Sequence, residues 1–122
     1  MHAFIIEDEY LIGKALQDML ETLGFNRFSF ARSEDAAVQG AAEQLFDLIT
    51  ADVRLLPGDG VSAVEAIRER RHTPVIYITA YAEELRDRLP DAIVVQKPVK
   101  PDVLATAVRQ AMRQQRIPNN IG

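Results

Sequence analysis

The chain has no cysteine among its 122 residues. That excludes disulfides, thiolate metal sites, iron–sulfur clusters and cysteine nucleophiles. No apolar run approaches the ~20 residues that a membrane-spanning helix needs, so no membrane association is expected. The first residues reach Glu7-Asp8-Glu9 without a basic leader, unlike a secretory signal, and a cytoplasmic location is the expectation. Internal repeats, low-complexity stretches and Pro/Gly/Ser linkers are also missing. Positive charge is scarce: 14 Lys and Arg face 18 Asp and Glu, a net charge of −4, which argues against nucleic acid as a partner for the whole surface. The imbalance is local. Residues 1–60 hold 11 acidic and 4 basic side chains, residues 61–122 hold 7 and 10, so discrete charged sites are expected rather than one field. What remains, 48% hydrophobic and 26% charged residues, is the balance of one folded domain.

Short β-like runs alternate with helix-like runs. Residues 3–7 predict a strand that ends on acid. Over 10–23, Leu11, Ile12, Ala15, Leu16, Met19, Leu20 and Leu23 recur at helical spacing. Gly24 stands where a terminating glycine belongs, with Phe25 able to fold back on the last turn. Phe28 and Phe30 alternate with Arg27 and Ser29 in a second strand over 27–31. Ser33 then caps a helix to about Leu45, with Glu34 and Asp35 in its first turn. Residues 47–52 (DLITAD) predict strand three, and a turn over 57–60 leads to a helix marked by Val61, Val64 and Ile67 that runs to about Arg71. Residues 74–79 (PVIYIT) are β-branched and aromatic. Residues 82–89 have room for only about two helical turns before Pro90, and 92–96 make the last strand. Pro101 opens a final helix whose stripe is Val103, Leu104, Ala107, Val108, Ala111 and Met112, with Arg109, Arg113 and Arg116 outside it. One domain over 1–116 and a frayed tail over 117–122 are expected. Five strands and five helices in strict alternation predict an α/β doubly wound parallel sheet, with right-handed crossovers and its ligand site at the carboxyl ends of the strands.

Those ends carry Glu7-Asp8-Glu9, then Asp52, then Thr79-Ala80-Tyr81, then Lys97-Pro98. Carboxylates forced together repel and favour a hard cation, for which Mg²⁺ is well suited. A carboxylate is also a nucleophile that can form an aspartyl phosphate, and a lysine and a hydroxyl can hold phosphoryl oxygens. Singly, each residue has a plain structural reading: Asp8 and Thr79 as caps, Asp52 as turn chemistry, Lys97 as a solvated charge. Jointly, they point to one site.

The four groups, in this order at the strand ends, resemble those of the response-regulator receiver domains of two-component signalling, over about residues 2–116. The matching residues are Glu7-Asp8-Glu9, the segment Asp52-Val53-Arg54-Leu55-Leu56-Pro57-Gly58-Asp59-Gly60, Thr79-Ala80 and Lys97-Pro98. Asp52 follows Asp8 by 44 residues and Gly60 follows Asp52 by eight, as suits that family. The resemblance implies the flavodoxin-like receiver fold with strand order 2-1-3-4-5. It implies Asp52 as phospho-acceptor, with Mg²⁺ bound by Asp8 and Asp52, by Glu7 through water and by the Arg54 backbone carbonyl. It implies Thr79 and Lys97 as phosphoryl ligands, a small Ala80 that leaves the site open, and a cis Lys97–Pro98 bond, which proline makes inexpensive.

Three features depart from the family pattern. Pro57 stands five after Asp52, one later than in many receivers. Thr79 and Lys97 are only 18 residues apart, which predicts a truncated fourth helix. The position three before the lysine, where strand five of many receivers carries a switch aromatic, is Val94. Tyr81, two after Thr79, is the aromatic instead, as in a subgroup of short stand-alone receivers, some from alphaproteobacterial stress signalling. The switch is therefore expected at Thr79, Ala80 and Tyr81.

The expected function is that of a single-domain response regulator. It would take a phosphoryl group on Asp52 from a histidine kinase or histidine phosphotransfer domain. Its output would be protein contact through helix four, strand five and helix five, or onward phosphotransfer. It is expected to be a signalling phospho-acceptor rather than an enzyme, apart from catalysing its own phosphorylation from small donors and its own dephosphorylation. The chain ends soon after its last apolar stripe, so no attached output domain is expected, and Met1 and the tail favour a complete protein over a receiver excised from a larger regulator or hybrid kinase. A non-phosphorylated flavodoxin-like binding module would want a Gly- or hydroxyl-rich loop where Glu7-Asp8-Glu9-Tyr10 stands. An aspartyl-phosphate phosphatase would want an acid where Arg54 stands.

Overall fold

The computed structural model of the protein describes residues 1–55 and 57–116. Leu56 and the tail over 117–122, for which fraying was expected, lie outside the described residues. In chain order the elements are β1 (His2–Ile6), α1 (Tyr10–Glu21), β2 (Arg27–Ala31), α2 (Glu34–Glu43), β3 (Leu48–Asp52), α3 (Gly60–Arg70), β4 (Val75–Thr79), α4 (Ala82–Arg88), β5 (Ile93–Gln96) and α5 (Pro101–Arg116). All adjacent strands pair in parallel, in the order β2-β1-β3-β4-β5. The expected fold class and strand order are those observed. Every residue of β1, β3 and β4 is buried, as befits strands covered on both faces.

The two-residue period of a strand divides the sheet's side chains between two cores. Ala3, Ile5, Leu48, Ile76, Ile78, Ile93 and Val95 meet Leu16 and Leu20 of α1 and Leu104, Ala107, Val108 and Ala111 of α5. Phe4, Ile6, Ile49, Ala51, Val75 and Tyr77 meet Ala37 of α2, Val61, Val64 and Ile67 of α3 and Leu85 of α4. The result is three layers, with α1 and α5 on one side of the sheet.

Element ends differ from the sequence reading where side chains intervene. Helix α1 stops at Glu21, not Leu23, because the chain closes in a Schellman turn. Phe25 N–H donates to Leu20 O (3.2 Å) and Gly24 N–H to Glu21 O (3.2 Å), while Gly24 takes φ of 101°, a conformation glycine adopts without strain. Helix α2 stops at Glu43, not Leu45. Gln44 is already extended and Leu45 is exposed, while Phe46 turns back to stack on Phe4, ring centroids 4.3 Å apart. Strand β3 starts at Leu48, and Asp47 before it is bonded to His2 twice, its carboxylate accepting from His2 N–H (2.7 Å) and its own N–H donating to His2 O (2.8 Å). Helix α4, expected to be short, has seven residues.

Candidate functional site

Strand register brings the singled-out residues into one row. Ile6 pairs with Ala51, Asp52 with Ile78, and Thr79 with Gln96, so Glu7, Asp52, Thr79 and Lys97 emerge at one edge of the sheet. Lys97 N–H donates to Thr79 O (2.8 Å), which extends the ladder by one bond. The Lys97–Pro98 bond is cis.

One carboxylate oxygen from each of Glu7, Asp8 and Asp52 lies within 4.8 Å of the other two. Glu7 and Asp52 are buried, a placement that is unfavourable for two like charges without a cation. Lys97 supplies one. Its Nζ donates to Asp52 Oδ2 (2.9 Å) and stands 3.2 Å from Glu7 Oε1. The second approach is an ion pair without hydrogen-bond alignment, so Glu7 Oε1 is buried with no hydrogen-bond partner among the described residues. Burial, reinforced by the Asp52 charge, pushes Glu7 up to about 7, although the Glu9 amide and Lys97 pull the other way. Burial alone would lower Lys97. The hydrogen bond and charge of Asp52, with Glu7 behind them, more than reverse that and hold the ammonium above its ordinary value. The pocket is thus short of positive charge even with Lys97 in place. Three carboxylate oxygens within 4.8 Å of one another, together with a buried Glu7 oxygen that no hydrogen bond satisfies among the described residues, fit a hard divalent cation such as Mg²⁺.

The plain structural readings can be weighed singly. Asp8 is not the cap of α1; that position is Glu9, which makes no side-chain cap bond. Asp52 does carry turn chemistry, accepting from Arg54 N–H (3.3 Å) through Oδ1, but its other oxygen faces Lys97. Thr79 Oγ1 accepts from Tyr81 N–H (3.0 Å), a local turn bond that holds the hydroxyl in the β4–α4 loop. Lys97 is no solvated charge, with its side chain 18% exposed. Ala80 is exposed at the rim. Tyr81, 49% exposed, lies beneath the Arg54 guanidinium, whose carbon is 4.5 Å from the ring centroid. This cation–π contact joins the loops after β3 and β4.

Gly60 sets how closely α3 approaches Asp52. Its N–H donates to Val53 O (2.8 Å), and a β-carbon there would overlap the Asp52 carbonyl oxygen. The same loop is tied to α2. Glu34 N–H donates to Pro57 O (3.3 Å), and Glu34 Oε1 accepts from Asp59 N–H (3.0 Å). Sequence reasoning missed this tether, and it missed Gln96, whose side chain spans from β5 to the β4–α4 loop. A polar residue ending an otherwise apolar strand is the one signal that marked Gln96.

Residues 3–109 match the family described as response regulator receiver domain. The phyllosphere-induced regulator PhyR of Methylorubrum extorquens is 38% identical over 112 residues, 88% of this chain and 42% of that protein. The transcriptional regulatory protein PdtaR of Mycobacterium tuberculosis is 34% identical over 98 residues, 80% of this chain and 48% of that protein. This chain spans about half or less of the length of the curated relatives it matches. Among solved structures, the receiver domain of Erythrobacter litoralis PhyR superposes with a TM-score of 0.87 at 36% identity, covering 96% of this chain and 93% of that one. Brucella abortus PhyR gives 0.89 at 30% identity, covering 97% and 50%.

Proposed function

The chain belongs to the response-regulator receiver family, and from that premise we propose that Asp52 is the phospho-acceptor of a two-component signalling protein, served by a histidine kinase or histidine phosphotransfer domain. One observation carries the reading: within the acidic trio, Asp52 is the carboxylate that accepts a hydrogen bond from Lys97. Asp8 and Asp52 would hold Mg²⁺, with Glu7 through water and the Arg54 carbonyl, and the ion would neutralise charge on the phosphoryl oxygens during transfer. An Asp52 oxygen attacks phosphorus, the P–O bond forms as the donor's P–N bond breaks, and the departing imidazole nitrogen keeps the electron pair and takes a proton. Lys97, already bonded to Asp52 Oδ2, exchanges that bond for one to a phosphoryl oxygen. The test is incubation with phosphorylated kinases and phosphotransfer domains: transfer to the wild type and none to Asp52→Asn supports the reading, and equal transfer to both overturns it.

Thr79 is the second phosphoryl ligand, and a rotation that carries its hydroxyl to the acyl phosphate would break its bond from Tyr81 N–H. The switch therefore runs through Tyr81 and α4, with Tyr81 leaving the Arg54 guanidinium as Thr79 turns. Val94, half-buried on β5, has too few atoms to follow. Backbone NMR with beryllofluoride is expected to shift residues 79–89 most, in a pattern altered by Tyr81→Ala. A full wild-type response in Tyr81→Ala, or changes centred on 92–96, contradicts this.

Output is by protein contact through α4, β5 and α5, or by onward phosphotransfer, from a cytoplasmic domain spanning residues 1–116. A second reading makes the chain the receiver portion of a longer regulator. The relatives' greater length favours it, and a Bartonella quintana PhyR structure named as an anti-anti-sigma factor supplies a kind of output that such a protein would have.

A further inference from the structure

Helix α4 is short and lacks a cap from its own sequence: Tyr81, at its N-cap, makes no side-chain cap bond. The first N–H groups of a helix have no intrahelical acceptor, and here the Ala82 N–H is satisfied from another strand. Gln96 Oε1 accepts from Ala82 N–H (3.0 Å). The same amide's Nε2 donates to Ala80 O (2.7 Å) and to Lys97 O (3.0 Å). Two carbonyls on one side and an N–H on the other fix which end of the amide points where. One side chain thus holds the backbone on both sides of Tyr81 and the carbonyl of Lys97, while its own residue pairs in register with Thr79.

We propose that Gln96 is a positioning residue that clamps residues 80–82 to β5 and so opposes release of the Thr79 hydroxyl. The clamp is a feature of the free protein and stands on geometry alone; its effect on the phosphorylated state rests on the reading of Asp52 as acceptor. The arrangement it holds is the one in which Thr79 Oγ1 accepts from Tyr81 N–H. A Thr79 hydroxyl turned toward the acyl phosphate drops that bond and frees the loop to move. Each hydrogen bond from Gln96 to the loop adds to the cost of that movement.

Two variants separate the halves of the clamp. Gln96→Leu removes both. Gln96→Glu keeps an acceptor for Ala82 N–H but turns a second oxygen toward the Ala80 and Lys97 carbonyls, where no donor remains. In the free chain of 122 residues, amide hydrogen exchange at Ala82 is expected to accelerate about five- to tenfold in Gln96→Leu. Gln96→Glu is expected to keep Ala82 protected, and both variants to leave Ile78 and Val95 unchanged. Unchanged exchange at Ala82 in Gln96→Leu overturns the clamp, as does equal loss of protection along β4 and β5, which marks general destabilisation. With beryllofluoride as the phosphoryl mimic, Gln96→Leu and Gln96→Glu are expected to bind about fivefold tighter than wild type. Affinity equal to or weaker than wild type in both overturns the positioning role. A wild type that binds no beryllofluoride contradicts the acceptor reading of Asp52, while the exchange result decides the clamp by itself.

Discussion

Gly60→Ala is expected to lower stability by about 3–5 kcal/mol, in the range reserved for substitutions that force a backbone rearrangement. The added β-carbon would overlap the Asp52 carbonyl oxygen and stand 2.8 Å from its carbon and 3.2 Å from the Val53 α-carbon. These neighbours are backbone, so no rotamer relieves the contact. Either the start of α3 or the end of β3 must shift, and the second would carry Asp52 away from Asp8 and Lys97. For a domain of this size the loss corresponds to a fall in melting temperature of roughly 10–20 °C. Gly13→Ala is the control: a β-carbon there would meet only Phe30 and Ile5 side-chain atoms at 3.8–4.0 Å, and alanine in a helix interior is favoured over glycine by about 0.5–1 kcal/mol. A Gly60→Ala protein melting within about 2 °C of wild type would remove the steric argument.

Asp8→Ala is expected to weaken Mg²⁺ binding, and Lys97→Ala is expected not to. Asp8 offers a hard oxygen beside Glu7 and Asp52, and its loss removes one of the three charges that draw the cation. A fall of at least about tenfold is expected, since ligand charge count tunes affinity over decades. Lys97 is different. Its ammonium neutralises the same two buried carboxylates that a cation would neutralise, so the two compete. Lys97→Ala is expected to bind Mg²⁺ as tightly as wild type or tighter, and to accept phosphoryl groups poorly because the cation facing the transferred group is gone. Titration calorimetry separates the two variants. Abolished metal binding in a folded Lys97→Ala would reverse the assigned roles.

The sheet was legible in the sequence because four strands are apolar runs with acids or prolines at their ends, and β2 alternates Phe28 and Phe30 with Arg27 and Ser29. The short fourth helix was legible because Pro90 closes the room available to it. The acidic trio and Lys97 were legible because each stands at or just past the carboxyl end of a strand, and a parallel sheet delivers such positions to one edge. The end of α2 was not legible: it is decided by Phe46 stacking on Phe4, 42 residues away. Neither were the Glu34 tether and the Gln96 clamp. Both are side-chain bonds to the backbone of segments distant in sequence, and they leave no period or spacing to read. The Arg54–Tyr81 contact, between two side chains, is equally without a sequence period. Each residue had been singled out for the site, but only the folded loops show them stacked on one another.

A covalent phospho-acceptor at Asp52 that needs a divalent cation, as proposed, has a direct chemical signature. Intact-mass measurement after incubation with acetyl phosphate and Mg²⁺ tests it most directly. One phosphoryl increment is expected on the wild type, none on Asp52→Asn, and none on the wild type in EDTA. An increment that survives Asp52→Asn, or forms equally well without the metal, would contradict it.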